Sequence, residues 1–196
     1  MLRADQLDVD RAMLLVIDMQ EKILPLVVGQ DRVVDGARKI LAGVIVFELP
    51  VLATEQYPKG LGPTHADLGE PLRVAGALVL EKPTFSAWHE ETIRTAMLTL
   101  DRTQVIIAGI ETHVCVQQTA LDLRSRDYDV FVCADAVGAR SRVDHETALD
   151  RMRLGGVFVT SVESVLFELC GRCDTAGFKK MLEVIKQYPP NEAKGA

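Results

Sequence analysis

Short, continuously apolar runs closed by a polar residue recur along the chain, and stretches with helical spacing separate several of them. The first run, AMLLVID, extends from Ala12 to Asp18. Runs of this kind suit strands buried on both faces of a parallel sheet. PVLATE (Pro50–Glu55), ALVLEK (Ala77–Lys82), QVIIAGI (Gln104–Ile110), DVFVCADA (Asp129–Ala136) and GVFVTS (Gly156–Ser161) repeat the pattern. Val33, Ala37, Ile40, Leu41 and Val44 recur at three- and four-residue intervals after Asp31, a candidate N-cap. Val116, Ala120 and Leu123 mark a second helix, His145 to Leu154 a third, and Thr175 to Gln187 a terminal one. Strand and helix in alternation predict right-handed crossovers and a sheet covered on both faces. The expected fold is α/β: a three-layer α/β/α sandwich with a mostly parallel, Rossmann-like six-stranded sheet.

At 196 residues the chain is expected to form a single domain over 1–196, with a core over about 10–187 and a flexible C-terminal tail. One connection departs from the rhythm. Gln56 to Gly76 reads as a long loop rich in Gly and Pro, and long ordered loops are often functional. The tail QYPPNEAKGA is expected to fray or reach across to a neighbouring subunit.

Composition narrows the function classes. Hydrophobic residues make up 48% and charged residues 26%, an ordinary globular balance. A formal net charge of -6 opposes nucleic acid, whose phosphates demand a basic patch. An anionic membrane surface is an equally poor partner, and no apolar run is long enough to span a bilayer. The acidic start MLRADQLDVDRA does not resemble a signal peptide, and four cysteines without one suggest reduced thiols. The expected location is cytoplasmic, and the expected partner is a small-molecule substrate.

In open α/β sheets ligands bind beyond the carboxyl ends of the strands. That rule brings together Asp18, Glu55 with Gln56, Lys82, and Glu111 to Cys115: an acid, a base and a thiol. Cys115 lies about three positions into a helix whose expected N-cap is Thr112. Orphan N–H groups and the helix dipole favour a thiolate there, and a nearby Lys82 ammonium would lower the thiol pKa further. Asp18 would then accept the thiol proton and deliver it to a leaving group, while backbone N–H groups around Cys115 stabilise an oxyanion. The plain alternative has weight, because free cysteine is among the most buried residue types. Asp18 would then cap a turn and Lys82 would be a solvated surface residue. Residue types alone leave both readings open.

Three segments sharpen the choice. LLVIDMQ, EKPTFSAW and IAGIETHVCV, in this order and spacing, resemble the signature segments of the isochorismatase-like cysteine hydrolase family across roughly residues 10–170. The resemblance implies catalytic roles for Asp18, Lys82 and a nucleophilic Cys115. It also implies a non-proline cis peptide at Ile110–Glu111 that turns backbone amides toward the oxyanion. TEQYPKGLGPT, Thr54 to Thr64, resembles the isochorismatase domain-containing branch rather than the nicotinamidases. Nicotinamidases carry a metal-binding Asp-x-His pair after the second strand, where Glu55-Gln56-Tyr57 stands here. The resemblance therefore implies no catalytic metal and no cofactor. A cysteine nucleophile implies cleavage of a C–N bond in an amide, ureido or carbamoyl compound, and family members form dimers and larger homo-oligomers.

Further residues are candidates for the pocket. Gln20, Glu55, Gln56 and Tyr57 either select the substrate or merely end the strands. Thr84, Phe85 and Trp88 offer an apolar wall near Lys82, with core packing the alternative for Trp88. Thr112 and Val114 flank Cys115, and His113 is expected at the surface or an interface. Cys133 is expected in the core. Cys170 and Cys173 form a C-x-x-C without the context of a redox helix or two further zinc ligands. No G-x-G-x-x-G follows the first strand, and no P-loop is present. Two alternatives to hydrolysis remain: binding of a metabolite or protein without turnover, and thiol redox chemistry at Cys115.

Overall fold

The computed structural model describes residues 6–189. Six strands form one parallel sheet: β1 (Ala12–Ile17), β2 (Val51–Gln56), β3 (Leu78–Lys82), β4 (Gln104–Ile110), β5 (Asp129–Gly138) and β6 (Phe158–Thr160). Their spatial order is β3-β2-β1-β4-β5-β6, all neighbours parallel. This is the α/β fold expected from the alternating runs. The central strands β1 and β4 are buried at every position, which is why their sequences are continuously apolar.

Alternate residues along β1 feed two separate cores. Leu14 and Val16 pack on one side with Ile40, Ile106, Val165 and Met181. Met13, Leu15 and Ile17 pack on the other with Ile93, Met97, Ala120 and Met152. That two-residue alternation divides the helices into two layers. Residues of α1 (Gln30–Val46), α3 (Ala66–Val74), α7 (Val162–Cys170) and α8 (Ala176–Gln187) join the first core. Residues of α4 (Glu91–Leu100), α5 (Gln117–Arg124) and α6 (Arg142–Leu154) join the second.

Several local expectations need correction. Gln56 to Gly76 is not a bare loop: it holds the single-turn α2 (Pro58–Leu61) and then α3. Its Gly and Pro content hides them because Pro58 opens α2 and the His65 Nδ1 caps α3 by accepting from the Asp67 N–H. Helices α4 and α7 lie in stretches that the spacing argument leaves unassigned. Asp31 is not an N-cap but a first-turn residue of α1, whose cap is the left-handed Gly29. Most of the expected fraying tail falls in residues 190–196, outside the described residues. No helix among the described residues is long and apolar enough to cross a membrane.

The strand order reverses between β1 and β4, so the crevice at the sheet's switch point opens where Asp18 and the segment after Ile110 emerge. Gly109 sets how closely the two strands run there. A Cβ at this position would collide with the Ile17 carbonyl oxygen, and its φ of 127° suits glycine.

Candidate active site

Asp18 follows β1 with a left-handed backbone, φ 52°, unusual for a residue with a side chain. Its N–H donates to the Thr54 carbonyl of β2, and its side chain is nearly inaccessible. Both carboxylate oxygens are engaged. Oδ1 accepts from the Thr54 hydroxyl at 2.7 Å, and Oδ2 accepts from Lys82 Nζ at 2.7 Å. Lys82 ends the edge strand β3 yet is 1% exposed, so this ion pair is buried at both ends. Such a pair persists only when further hydrogen bonds complete it. Lys82 Nζ has four oxygens in reach: Asp18 Oδ2, Gln56 Oε1 at 2.7 Å, the Thr84 carbonyl at 3.1 Å and the Phe85 carbonyl at 3.3 Å. An ammonium has three N–H donors, so this cage leaves none spare.

Cys115 completes the group. It sits on a π-helical turn, Thr112–Val116, that runs directly into α5. Its sulfur lies 3.9 Å from Gln56 Oε1, and the charges acting on it are those of Asp18 and Lys82. The thiol is 6% exposed. Burial, and then the Asp18 carboxylate, push its pKa up to about 12; the Lys82 ammonium pulls it down by less. The expected thiolate is therefore corrected: the resting sulfur is a neutral thiol. Desolvation first, and then the carboxylate, outweigh the cation's charge and its hydrogen bond to the sulfur.

The expected helix cap is corrected as well. Glu111, not Thr112, occupies the N-cap position, and it caps with no side-chain bond. The Thr112 hydroxyl instead pairs with His145 Nδ1 of α6 at 2.9 Å. The Ile110–Glu111 peptide bond is cis. The Glu111 carbonyl accepts from the N–H groups of Val114 and Val116, and its carboxylate accepts from the N–H and Nε of Arg140.

The remaining candidates divide. Gln56 stands in the group itself: Oε1 takes a Lys82 proton, while Nε2 donates to the Pro83 carbonyl. Phe85 and Tyr57 flank Lys82 through the backbone and hold their rings in solvent, 55% and 60% exposed. Thr84 serves through its carbonyl on Lys82. Val114 is half-buried beside Cys115 against the second core. Four candidates are used elsewhere. Gln20 is fully buried and staples the loop, accepting from the Gln56 N–H and donating to the carbonyls of Gln56 and Gly62. Glu55 accepts from the Thr64 N–H and hydroxyl. Thr112 is bound to His145. Trp88 lies edge-on to Tyr128 at 5.8 Å, under the Arg126 guanidinium. Tyr128 precedes β5, at the end of the sheet opposite Cys115, and Trp88 packs on the second core.

His113 is half-buried, with its Nδ1 enclosed and unpartnered, and Ser86, 1% exposed, has an unpartnered hydroxyl. Ser86 lies within the EKPTFSAW segment without standing out there, and His113, expected at the surface or an interface, is half-buried. Cys133 is buried in β5, as expected. Cys170 and Cys173 are free thiols, Cys173 exposed, and the Cys170 sulfur bonds the Arg172 carbonyl. Among the described residues no three His, Cys, Asp or Glu side chains converge to hold a metal ion.

Known proteins share this arrangement of strands. The isochorismatase domain profile matches residues 12–164, from β1 into α7. Isochorismatase domain-containing protein 2 of Xenopus laevis is 38% identical over 181 residues, 92% of this chain and 86% of that protein. The structure of MAR1 ribonuclease from Caenorhabditis elegans superposes with a TM-score of 0.87 at 31% identity, covering 94% of this chain and 95% of that one. The YcaC gene product of Escherichia coli, described as an octameric hydrolase of unknown specificity, gives a TM-score of 0.89 at 26% identity, with 97% and 94% covered. A domain match from the first strand past the last, together with close relatives aligned over nearly their whole length, places the chain in the isochorismatase family of hydrolases.

Proposed function

We propose that this chain is a cysteine hydrolase that cleaves a C–N bond of a small amide, ureido or carbamoyl substrate. The observation that carries the reading is the Asp18–Lys82 ion pair acting on a nearly enclosed Cys115 sulfur at the carboxyl ends of β1, β3 and β4. A core cysteine has no need of a buried ion pair beside it, and such a pair is expensive to bury.

The geometry supports the following course. As the sulfur attacks the substrate carbonyl, the thiol proton passes to Asp18, so no free thiolate accumulates beforehand. Backbone N–H groups of the turn carrying Cys115 stabilise the oxyanion, with the cis Ile110–Glu111 step setting the course of that turn. Asp18 returns the proton to the departing nitrogen, leaving a thioester or thiocarbamate on Cys115. A water that gives its proton to Asp18 then releases the acid and restores the thiol. Lys82, with every donor engaged, fixes Asp18 rather than touching the substrate. No step calls on a metal ion or cofactor.

The ribonuclease named for the C. elegans protein is a weaker model for this chain, because a net charge of -6 repels RNA phosphates. We further propose a single-domain protein working as a homo-oligomer in the cytoplasm. The octameric E. coli relative supports the assembly, and four free cysteines suit a reducing compartment.

A panel of small amides and ureido compounds tests the reading, with turnover followed by ammonia release. Cys115→Ala and Asp18→Asn are expected to abolish turnover while circular dichroism stays native, and acid quenching of the wild type is expected to trap an acyl adduct on the Cys115 peptide. Full turnover by either variant overturns it.

A further inference from the structure

The charges around the thiol cancel, and each is already held. Asp18 has one oxygen on the Thr54 hydroxyl and the other on Lys82. Lys82 has more acceptors than protons. The Gln56 amide is used at both ends. Of the acids on the neighbouring strand ends, Glu111 is paired with Arg140, while Glu55 is held by the neutral Thr64 N–H and hydroxyl and adds a further negative charge. An anionic substrate would therefore meet no unspent cation from Lys82 and would also face the Asp18 carboxylate at low local dielectric.

Two polar atoms on the segments that carry the site lack partners. Ser86 Oγ, on the segment following Lys82, and His113 Nδ1, on the turn of Cys115, are enclosed without partners. The Ser86 hydroxyl recognises a ligand by a hydrogen bond rather than by paired charge. Ser86 is tied to the site on both sides: the Phe85 carbonyl before it contacts Lys82, and the Ala87 N–H after it donates to Thr119 Oγ1, one helical turn past Cys115. Tyr57 and Phe85, each joined to Lys82 through the backbone, carry exposed aromatic rings on the segments that border it.

We propose that the site selects an electrically neutral amide or carbamoyl compound with an apolar flank, and discriminates against substrates carrying a carboxylate or phosphate. This inference rests on the cysteine-hydrolase reading. For an amide it carries a consequence for product release: hydrolysis makes a carboxylic acid, which ionises beside Asp18 with no cation to hold it, so the product leaves.

Two alkylating reagents of nearly equal size test it on the full-length protein, iodoacetamide (neutral) and iodoacetate (anionic). Labelling of Cys115 is measured by peptide mass mapping at pH 9 over a day, and the exposed Cys173 serves as reference within the same molecule. The Cys115-to-Cys173 rate ratio is expected to be at least tenfold lower for iodoacetate, and Asp18→Asn is expected to erase or reverse that preference. A wild-type ratio that is equal, or higher for iodoacetate, overturns the neutral-substrate inference and leaves the nucleophile standing. A preference that survives in folded Asp18→Asn shows a steric origin and also overturns it; if that variant does not fold, the wild-type ratio decides. Labelling of Cys115 by neither reagent overturns the hydrolase reading along with the inference.

Discussion

Removing the Asp18 charge should make Cys115 a more acidic and faster-reacting thiol, even though it removes the group assigned to accept the thiol proton. Burial and Asp18 raise the thiol pKa from 9.0 to about 12, with Lys82 opposing. Three units correspond to about a thousandfold less thiolate at any pH below the normal titration range. At pH 7.5 the ionised fraction is on the order of 10⁻⁴ to 10⁻⁵, against roughly a tenth for a thiol titrating near 8.5. Asp18→Asn keeps the shape and the Thr54 bond but leaves Lys82 as an uncompensated cation. A downward shift of even one unit is about a tenfold gain in thiolate, so iodoacetamide labelling at pH 7.5 should accelerate by about tenfold or more. Lys82→Met should move the midpoint the other way.

The assay is labelling of the Cys115 peptide followed by mass spectrometry from pH 6 to 10.5. Restricted access to a sulfur that is 6% exposed lowers the rate equally at every pH, whereas ionisation moves the midpoint, so the curve separates the two. The wild type should still be rising at pH 10.5. A wild-type midpoint at or below 8.5, or slower labelling of Asp18→Asn, would falsify the neutral-thiol reasoning. It would then favour a preformed thiolate.

Four further outcomes are expected. Lys82→Met strands a buried carboxylate and should lower stability by about 3–5 kcal/mol in urea unfolding, while Asp18→Asn combined with Lys82→Met recovers much of that loss; additive losses would contradict the pairing. Stability should fall as pH rises from about 9 toward 12, because the folded state holds a Cys115 proton that the unfolded state has lost. The slope from this thiol is at most about 1.4 kcal/mol per pH unit, and it should disappear from the wild-type minus Cys115→Ala difference if the shift is absent. Ser86→Ala should leave stability unchanged or slightly higher, since its hydroxyl has no partner, whereas Thr119→Val orphans the Ala87 N–H and should cost about 1–3 kcal/mol; equal losses would show that Ser86 Oγ is bonded. Gly109→Ala should prevent correct packing of β4 on β1, read as loss of soluble protein or of the cooperative melting transition.

The parts of the molecule that the sequence discloses are those fixed by one dominant force. A strand covered on both faces must be apolar throughout, so β1 and β4 are visible as runs, and the polar residues at their ends are visible as candidates for the crevice. The helices α4 and α7 are less visible. In α4 Ile93 and Met97 are fully buried with Ala96 and Leu100 half-buried on the same face, a helical spacing of only four positions, and α7 is apolar on most sides. The roles of Gln20, Glu55 and Trp88 were not legible either, because a residue type at a strand end does not say whether its polar atoms are already taken. In this chain the loop of α2 takes Gln20, Thr64 takes Glu55, and Trp88 reaches back to Tyr128.

The state of the thiol is the clearest case of competition between effects that sequence cannot weigh. A cysteine early in a helix near a lysine reads as a thiolate, and each of those two effects does pull that way. The outcome turns on depth, on a carboxylate that also faces the sulfur, and on a lysine whose three protons are sought by four oxygens. A lysine with a free donor would pull the thiol pKa further down and would also give an anionic substrate a place to bind. On the proposal of a neutral substrate, the same saturation of Lys82 bears on both properties. If Gln56→Leu frees one Lys82 donor, both properties should shift together, with a lower labelling midpoint and a weaker preference for iodoacetamide over iodoacetate. A shift in one without the other would show that the two have separate causes.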